Sequence, residues 1–172
     1  LYLIDNQISD IKELVSLHQL KELNLCNNQI TDVKSLAKLF QLKELDLSSN
    51  KITDVKELAN LYQLEELNLC SNGFTDVKEL AKLSQLKVLN LSDNCIVEVK
   101  DLAKLSQLTE LELCDNHLRD IDQLESICEL KYLKKVDFSG NPELPLEQEI
   151  ITDIDKLRAR FKDSKQGTTP HQ

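Results

Sequence analysis

The chain has 172 residues, with 30 Asp plus Glu against 21 Lys plus Arg, giving a formal charge of -9 and a pI near 4.9. That balance argues against direct binding to a nucleic-acid phosphate backbone, and 41% hydrophobic with 30% charged residues fits neither a disordered chain nor a membrane protein. With no Met the chain also lacks an initiator, so a fragment or a processed product is expected.

The chain opens part-way through a pattern: Leu1, Leu3, Asn6 and Ile8 hold the places that Leu23, Leu25, Asn28 and Ile30 hold in the next unit. From Leu20 that unit reads LKELNLCNNQITDVKSLAKLFQ, and it restarts at Leu42, Leu64, Leu86 and Leu108, each 22 residues on. A sixth start at Leu133 follows after 25, so three residues are inserted around Ile127 to Tyr132. Within a unit, Leu23 and Leu25 flank an outward Asn24, which predicts a short strand of period two. Asn28 follows where the backbone must turn, with Asn6, Asn50, Asn72, Asn94, Asn116 and Asn141 in equivalent places. A buried amide there offers donors and an acceptor to backbone groups that the turn leaves unpaired. Thr31 and Asp32 suit a helix start, and Val33, Leu36 and Leu39 predict a short helix or 3₁₀ segment. A lone unit would expose two flat apolar sides and could not offset the entropy of ordering its backbone. Stacking buries those sides and completes a ladder of strands.

After Asn141 the chain passes Pro142 and Pro145, and residues 142–163 are expected to hold a C-terminal cap helix. Ile150, Ile154, Leu157 and Phe161 form its apolar stripe, with Glu147 and Glu149 early and Arg158, Arg160 and Lys162 late, as the helix dipole favours. Residues 164–172 read as a disordered tail. No matching cap precedes Leu1, so the first repeat is expected to present an open apolar end, able to pair end to end with another chain.

The pattern LxxLxLxxNxI followed by TDVKxLAxL resembles the 22-residue class of leucine-rich repeat proteins. It is most similar to the bacterial internalins, and less so to the leucine-rich repeat regulatory subunit of protein phosphatase 1. The resemblance covers residues 1–141. It implies an α/β solenoid, a curved array with a parallel β-sheet on the concave face, short helices or 3₁₀ segments on the convex face and the C-terminal cap helix. It also implies a protein-binding scaffold with aromatic anchors on the concave face. Here only Tyr2 occupies those columns.

In such an array, function lies in columns of equivalent positions. The column before the first Leu reads Glu22, Glu44, Glu66, Val88, Glu110, Lys135, and the next outward column Asn24, Asp46, Asn68, Asn90, Glu112, Asp137. Glu22, Glu44 and Glu66 are expected to stack as like charges on strands about 4.8 Å apart. Screening by water and by Lys21, Lys43 and Lys87 is one explanation; a basic partner or a bound cation is the other. On the opposite face Lys12, Lys34, Lys56, Lys78 and Lys100 read as a solvated surface among acids. His18, Phe40 and Tyr62, where later repeats have Ser84 and Ser106, predict an exposed lateral ridge that is either an interaction patch or a surface covered by upstream sequence.

Catalytic chemistry is not apparent. Cys26, Cys70 and Cys114 are each 44 residues apart, two strand spacings and roughly 9–10 Å, beyond disulfide reach. With Cys95 and Cys128 they read as reduced thiols, so a cytoplasmic location is expected, while a truncated N-terminus leaves a surface or secreted protein open. His18, His117 and His171 are too scattered for a metal site or triad, and no phosphate loop, dinucleotide or nucleophile-elbow motif occurs. The expected function is a non-enzymatic scaffold, without cofactor, metal, nucleic-acid or membrane-spanning role. A protein partner, basic in character, would meet Glu22, Asn24, Glu44, Asp46, Glu66, Asn68, Asn90, Glu110 and Glu112. The alternative is a structural or autoinhibitory repeat segment of a larger GTPase, kinase or surface adhesin.

Overall fold

A computed structural model describes residues 1–166, and its architecture follows from two periodicities. The period of two gives strands β1 (Glu22–Asn24), β2 (Glu44–Asp46), β3 (Glu66–Asn68), β4 (Val88–Asn90), β5 (Glu110–Glu112) and β6 (Lys135–Asp137). They form one open parallel sheet in sequence order, each residue registered on its equivalent in the neighbouring repeat. Tyr2 extends the ladder by one bridge to Asn24.

The second periodicity is three. Val33, Leu36, Leu39 and Leu42 are all buried, and the N–H of each of the last three donates to the carbonyl three residues back, at 3.0, 2.9 and 3.1 Å. A buried residue at every third position selects the 3.0-residue turn. Five short 3₁₀ segments result: Lys12–Ser16, Lys34–Lys38, Lys56–Asn60, Lys78–Lys82 and Lys100–Lys104. The lengthened unit that starts at Leu108 instead accommodates a true α-helix, α1 (Ile121–Cys128). Asp32, Asp54 and Asp76 each accept the N–H two residues on, in support of the predicted starts. Where the series has Glu98, Gln123 of the next repeat accepts the Val99 and Lys100 N–H groups instead, at 2.6 and 3.1 Å.

The asparagine ladder stitches these turns together. Asn116 accepts from Ile96 N–H and donates to the carbonyls of Leu91, Leu113 and Cys114. Its neighbour Asn94 donates to Leu69, Leu91 and Ser92, but its own buried oxygen has no partner among the described residues. Asn141 closes the series on Leu113, Phe138 and Ser139. The residue before each Asn is left-handed: Asp5, Asn27, Ser49, Ser71, Asp93 and Asp115 have φ between 53° and 56°, and Gly140 has 67°.

The C-terminal cap differs from the expected span. Helix α2 runs over Ile154–Gln166, so Glu147 and Glu149 precede it and Ser164 and Lys165 belong to it. The start is set by Asp153, whose Oδ1 accepts from both Asp155 N–H and Lys156 N–H at 3.0 Å. Residues 142–153 form turns that bury Leu144 and Ile151. Of the expected tail, 167–172 lie outside the described residues. Ile154, Leu157 and Phe161 pack into the core, and Arg158 donates to the carbonyls of Cys128, Leu130 and Leu133 at 2.7, 3.0 and 3.0 Å. At the other end Leu1, Ile4 and Leu17 are exposed, and none of Lys12–Ser16 is buried.

Candidate functional site

The outward face of the sheet forms an open groove of about 330 Å³, running from Tyr2 across Glu22, Glu44 and Glu66 to Val88 and Glu112. Parallel in-register pairing places Glu22 on Glu44 and Glu44 on Glu66, so the period of 22 alone creates the stack. Among the described residues no Lys or Arg comes within 4.0 Å of these three carboxylates. Desolvation, then the charges of Glu22 and Glu66, push the Glu44 carboxyl above its ordinary value. Tyr2 donates its hydroxyl to Glu22 at 2.9 Å, and that hydrogen bond and charge raise the phenol.

Two of the lysines expected to screen this column, Lys43 and Lys87, turn elsewhere. Lys43 and Lys87 both reach Glu65, at 2.8 and 2.5 Å, and hold its carboxyl down to about 2. They form a separate lateral column, Lys21, Lys43, Glu65, Lys87, in which one acid stands among bases. At the far end Lys135 pairs with Glu112 at 2.9 Å and Glu110 at 3.4 Å. Glu110 and Glu112 therefore carry a local counter-charge that Glu22, Glu44 and Glu66 lack. Val88 separates the two groups.

The middle column is more internally engaged than its sequence suggests. Asn24, Asp46, Asn68 and Asn90 each accept, through Oδ1, the N–H two residues on, which bends the chain after the strand. Asn68 also donates to Asp46 at 3.3 Å, and Asn90 to Glu112 at 2.8 Å. These residues do line the groove, but as half-buried side chains, of which Asp46, Asn68 and Asn90 also have lateral partners.

Away from the groove, the convex lysines pair with acids two residues before them: Lys12 with Asp10, Lys34 with Asp32, Lys56 with Asp54 and Lys100 with Glu98. His18 is exposed, as are Phe40 at 49% and Tyr62 at 56%. Tyr62 borders a surface depression with Lys43 and Glu65, so the ridge adjoins the lateral ion cluster. All five cysteines are free. Among the described residues no group of three His, Cys, Asp or Glu side chains is placed to hold a metal, and no helix is long and apolar enough to cross a membrane.

Residues 1–38 and 41–82 match the family model of paired leucine-rich repeats, and 63–118 a second leucine-rich repeat model. No curated protein matches the chain by sequence at a significant level. Among solved structures, an internalin C2 of Listeria monocytogenes is 37% identical with a TM-score of 0.78, covering 86% of this chain and 64% of that one. The Listeria monocytogenes internalin inlF is 34% identical with a TM-score of 0.73, covering 84% and 46%. The ectodomain of the Arabidopsis thaliana receptor kinase GASSHO1/SCHENGEN3, solved in complex with Casparian strip integrity factor 2, is 27% identical with a TM-score of 0.67, covering 83% and 20%. The chain thus spans less than two thirds of either internalin. Its 22-residue period, asparagine ladder, open parallel sheet and these matches agree: the chain belongs to the leucine-rich repeat family, with repeats of the internalin type.

Proposed function

We propose that this chain is a non-enzymatic scaffold that binds a basic protein partner on the N-terminal half of its concave sheet. The carrying observation is the in-register stack of Glu22, Glu44 and Glu66 without a cation of the chain's own, beside a C-terminal half in which Glu110 and Glu112 share Lys135. Like charges held about 4.8 Å apart are destabilising, and a cationic partner relieves that repulsion on binding. The open groove lacks the enclosure that tunes acid–base groups, which supports binding rather than catalysis. The free thiols support a reducing compartment.

The test is a quantitative pull-down from native lysate with wild type beside Glu44→Lys/Glu66→Lys, read by mass spectrometry across salt concentrations. Partners retained by wild type, lost by the charge-reversed variant and weakened by salt support the proposal. Partners held equally by both proteins, or insensitive to salt, refute it.

A further inference from the structure

Two columns that have no packing reason to change together do so at the same repeat. The ring column runs His18, Phe40, Tyr62 and then Ser84 and Ser106; the acid column runs Glu22, Glu44, Glu66, is broken by Val88, and resumes only at Glu110, which pairs with Lys135. Both distinctive runs therefore occupy the same three repeats and stop between β3 and β4. The rings are exposed, and the fold is equally built with serine in their place. Each ring lies four residues before its glutamate, with Lys21, Lys43 and Glu65 between the two columns. The surface is thus a pair of parallel stripes across the strands, one aromatic and one anionic, stepping once per strand.

The step selects the occupant. Strands repeat about every 4.8 Å, close to the 5.4 Å pitch of an α-helix lying across them. An extended strand would present same-side residues only every 6.6–6.8 Å or so and would fall out of step within three repeats. We infer that the N-terminal three repeats dock a basic amphipathic α-helix of the partner, laid across the strands. Its Lys or Arg residues, one per turn, meet Glu22, Glu44 and Glu66, and its adjoining apolar stripe meets His18, Phe40 and Tyr62. This rests on the acidic-groove reading above and adds the partner's secondary structure and second contact stripe.

Fluorescence anisotropy of the full chain with labelled synthetic peptides tests it. The probe is an alanine-based 14-mer with lysine at positions 1, 5, 8 and 12 and leucine at 2, 6, 9 and 13, which places two adjoining stripes on a helix. The control has the same composition, scrambled around all faces. Wild type should bind the striped peptide at least tenfold more tightly than the scrambled one. Phe40→Ser/Tyr62→Ser, which installs what Ser84 and Ser106 already provide, and Glu44→Gln/Glu66→Gln should each weaken it at least tenfold, with neither variant melting below wild type. Equal binding of both peptides, weakened only by the glutamate variant, leaves the acidic groove standing and overturns the helix inference. Unchanged binding by the ring variant also overturns it. If neither peptide binds, or if binding is indifferent to the glutamate variant, the acidic-groove reading falls and the inference with it.

Discussion

Removing one rung of the asparagine ladder should have an effect set by how many backbone groups it strands. Asn116→Ala leaves Leu91 O bonded to Asn94, Leu113 O to Asn141 and Cys114 O to Asp93 N–H; only the Ile96 N–H loses its sole partner. Asn141→Ala strands two groups, Phe138 O and Leu118 N–H, because no further repeat shares the load. Asn94→Ala strands none: Leu69 O keeps Asn72, Leu91 O keeps Asn116, Ser92 O keeps Ser71 N–H, and the Asn94 oxygen has no donor to lose. At about 1–3 kcal/mol per stranded buried group, the order of destabilisation is Asn94 least, Asn116 by about 1–3 and Asn141 by about 2–6 kcal/mol. Against a total of about 5–15 kcal/mol these differences are large. Urea unfolding followed by far-ultraviolet circular dichroism, since the chain has no Trp, resolves them. The Asn94→Ala/Asn116→Ala double variant strands Leu91 O as well, so its loss should exceed the sum of the singles. Equal losses at Asn94 and Asn141, or strict additivity in the double variant, would refute the sharing argument.

Two neighbouring acids should respond oppositely to pH. Glu44 titrates above its ordinary value, so its charge opposes folding at neutral pH and that penalty fades as pH falls through the raised value; Glu44→Gln should raise the melting temperature at pH 7 and lose the gain near about pH 4. Glu65 is lowered from 4.5 to about 2, so its contribution is present above 4.5 and lost as pH falls through about 2; Glu65→Gln should lower the melting temperature at pH 7 in low salt, and both acid and salt should erase the difference. Arg158→Lys should lose most of the three-carbonyl clasp between α1 and α2, because an ammonium lacks the planar fork; a cost of about 2–4 kcal/mol and faster hydrogen exchange in Ile154–Gln166 are expected. With a chromogenic disulfide reagent at mildly alkaline pH, exposed Cys95 should react first and Cys128 last, since burial pushes the Cys128 thiol up to about 12.

What the sequence made legible was whatever the 22-residue period forces. Strand register, the stacked glutamates and the buried asparagines each need only equivalent positions to fall on equivalent places. Side-chain pairing was not legible, because a lysine's long arm chooses among neighbours a whole repeat away: Lys43 lies beside Glu44 in sequence yet pairs with Glu65. The column Asn27, Ser49, Ser71, Asp93, Asp115, Gly140 reads as small polar surface, but its positive φ angles are a backbone requirement. Its confinement to Asn, Ser, Asp and Gly was the available signal. At Gly140 any Cβ would also fall 2.0 Å from Asp115 Oδ1. The cap helix begins late because Asp153 can cap it, whereas Glu147 and Glu149 lie in turns.

The asparagine ladder also bears on how the molecule ages. Asn72 is followed by Gly73, the dipeptide in which an asparagine side chain is most readily attacked by the next backbone nitrogen, closing a succinimide and releasing ammonia. In the fold that attack is blocked at both partners: the Asn72 amide is tied to Leu47, Leu69, Cys70 and Ile52, and the Gly73 N–H to Ile52 O. The same contacts that shape the turn make deamidation a record of unfolding. Isoaspartate at this position would accumulate only in molecules whose third repeat has opened, and the negative charge left behind would hinder that repeat from closing again.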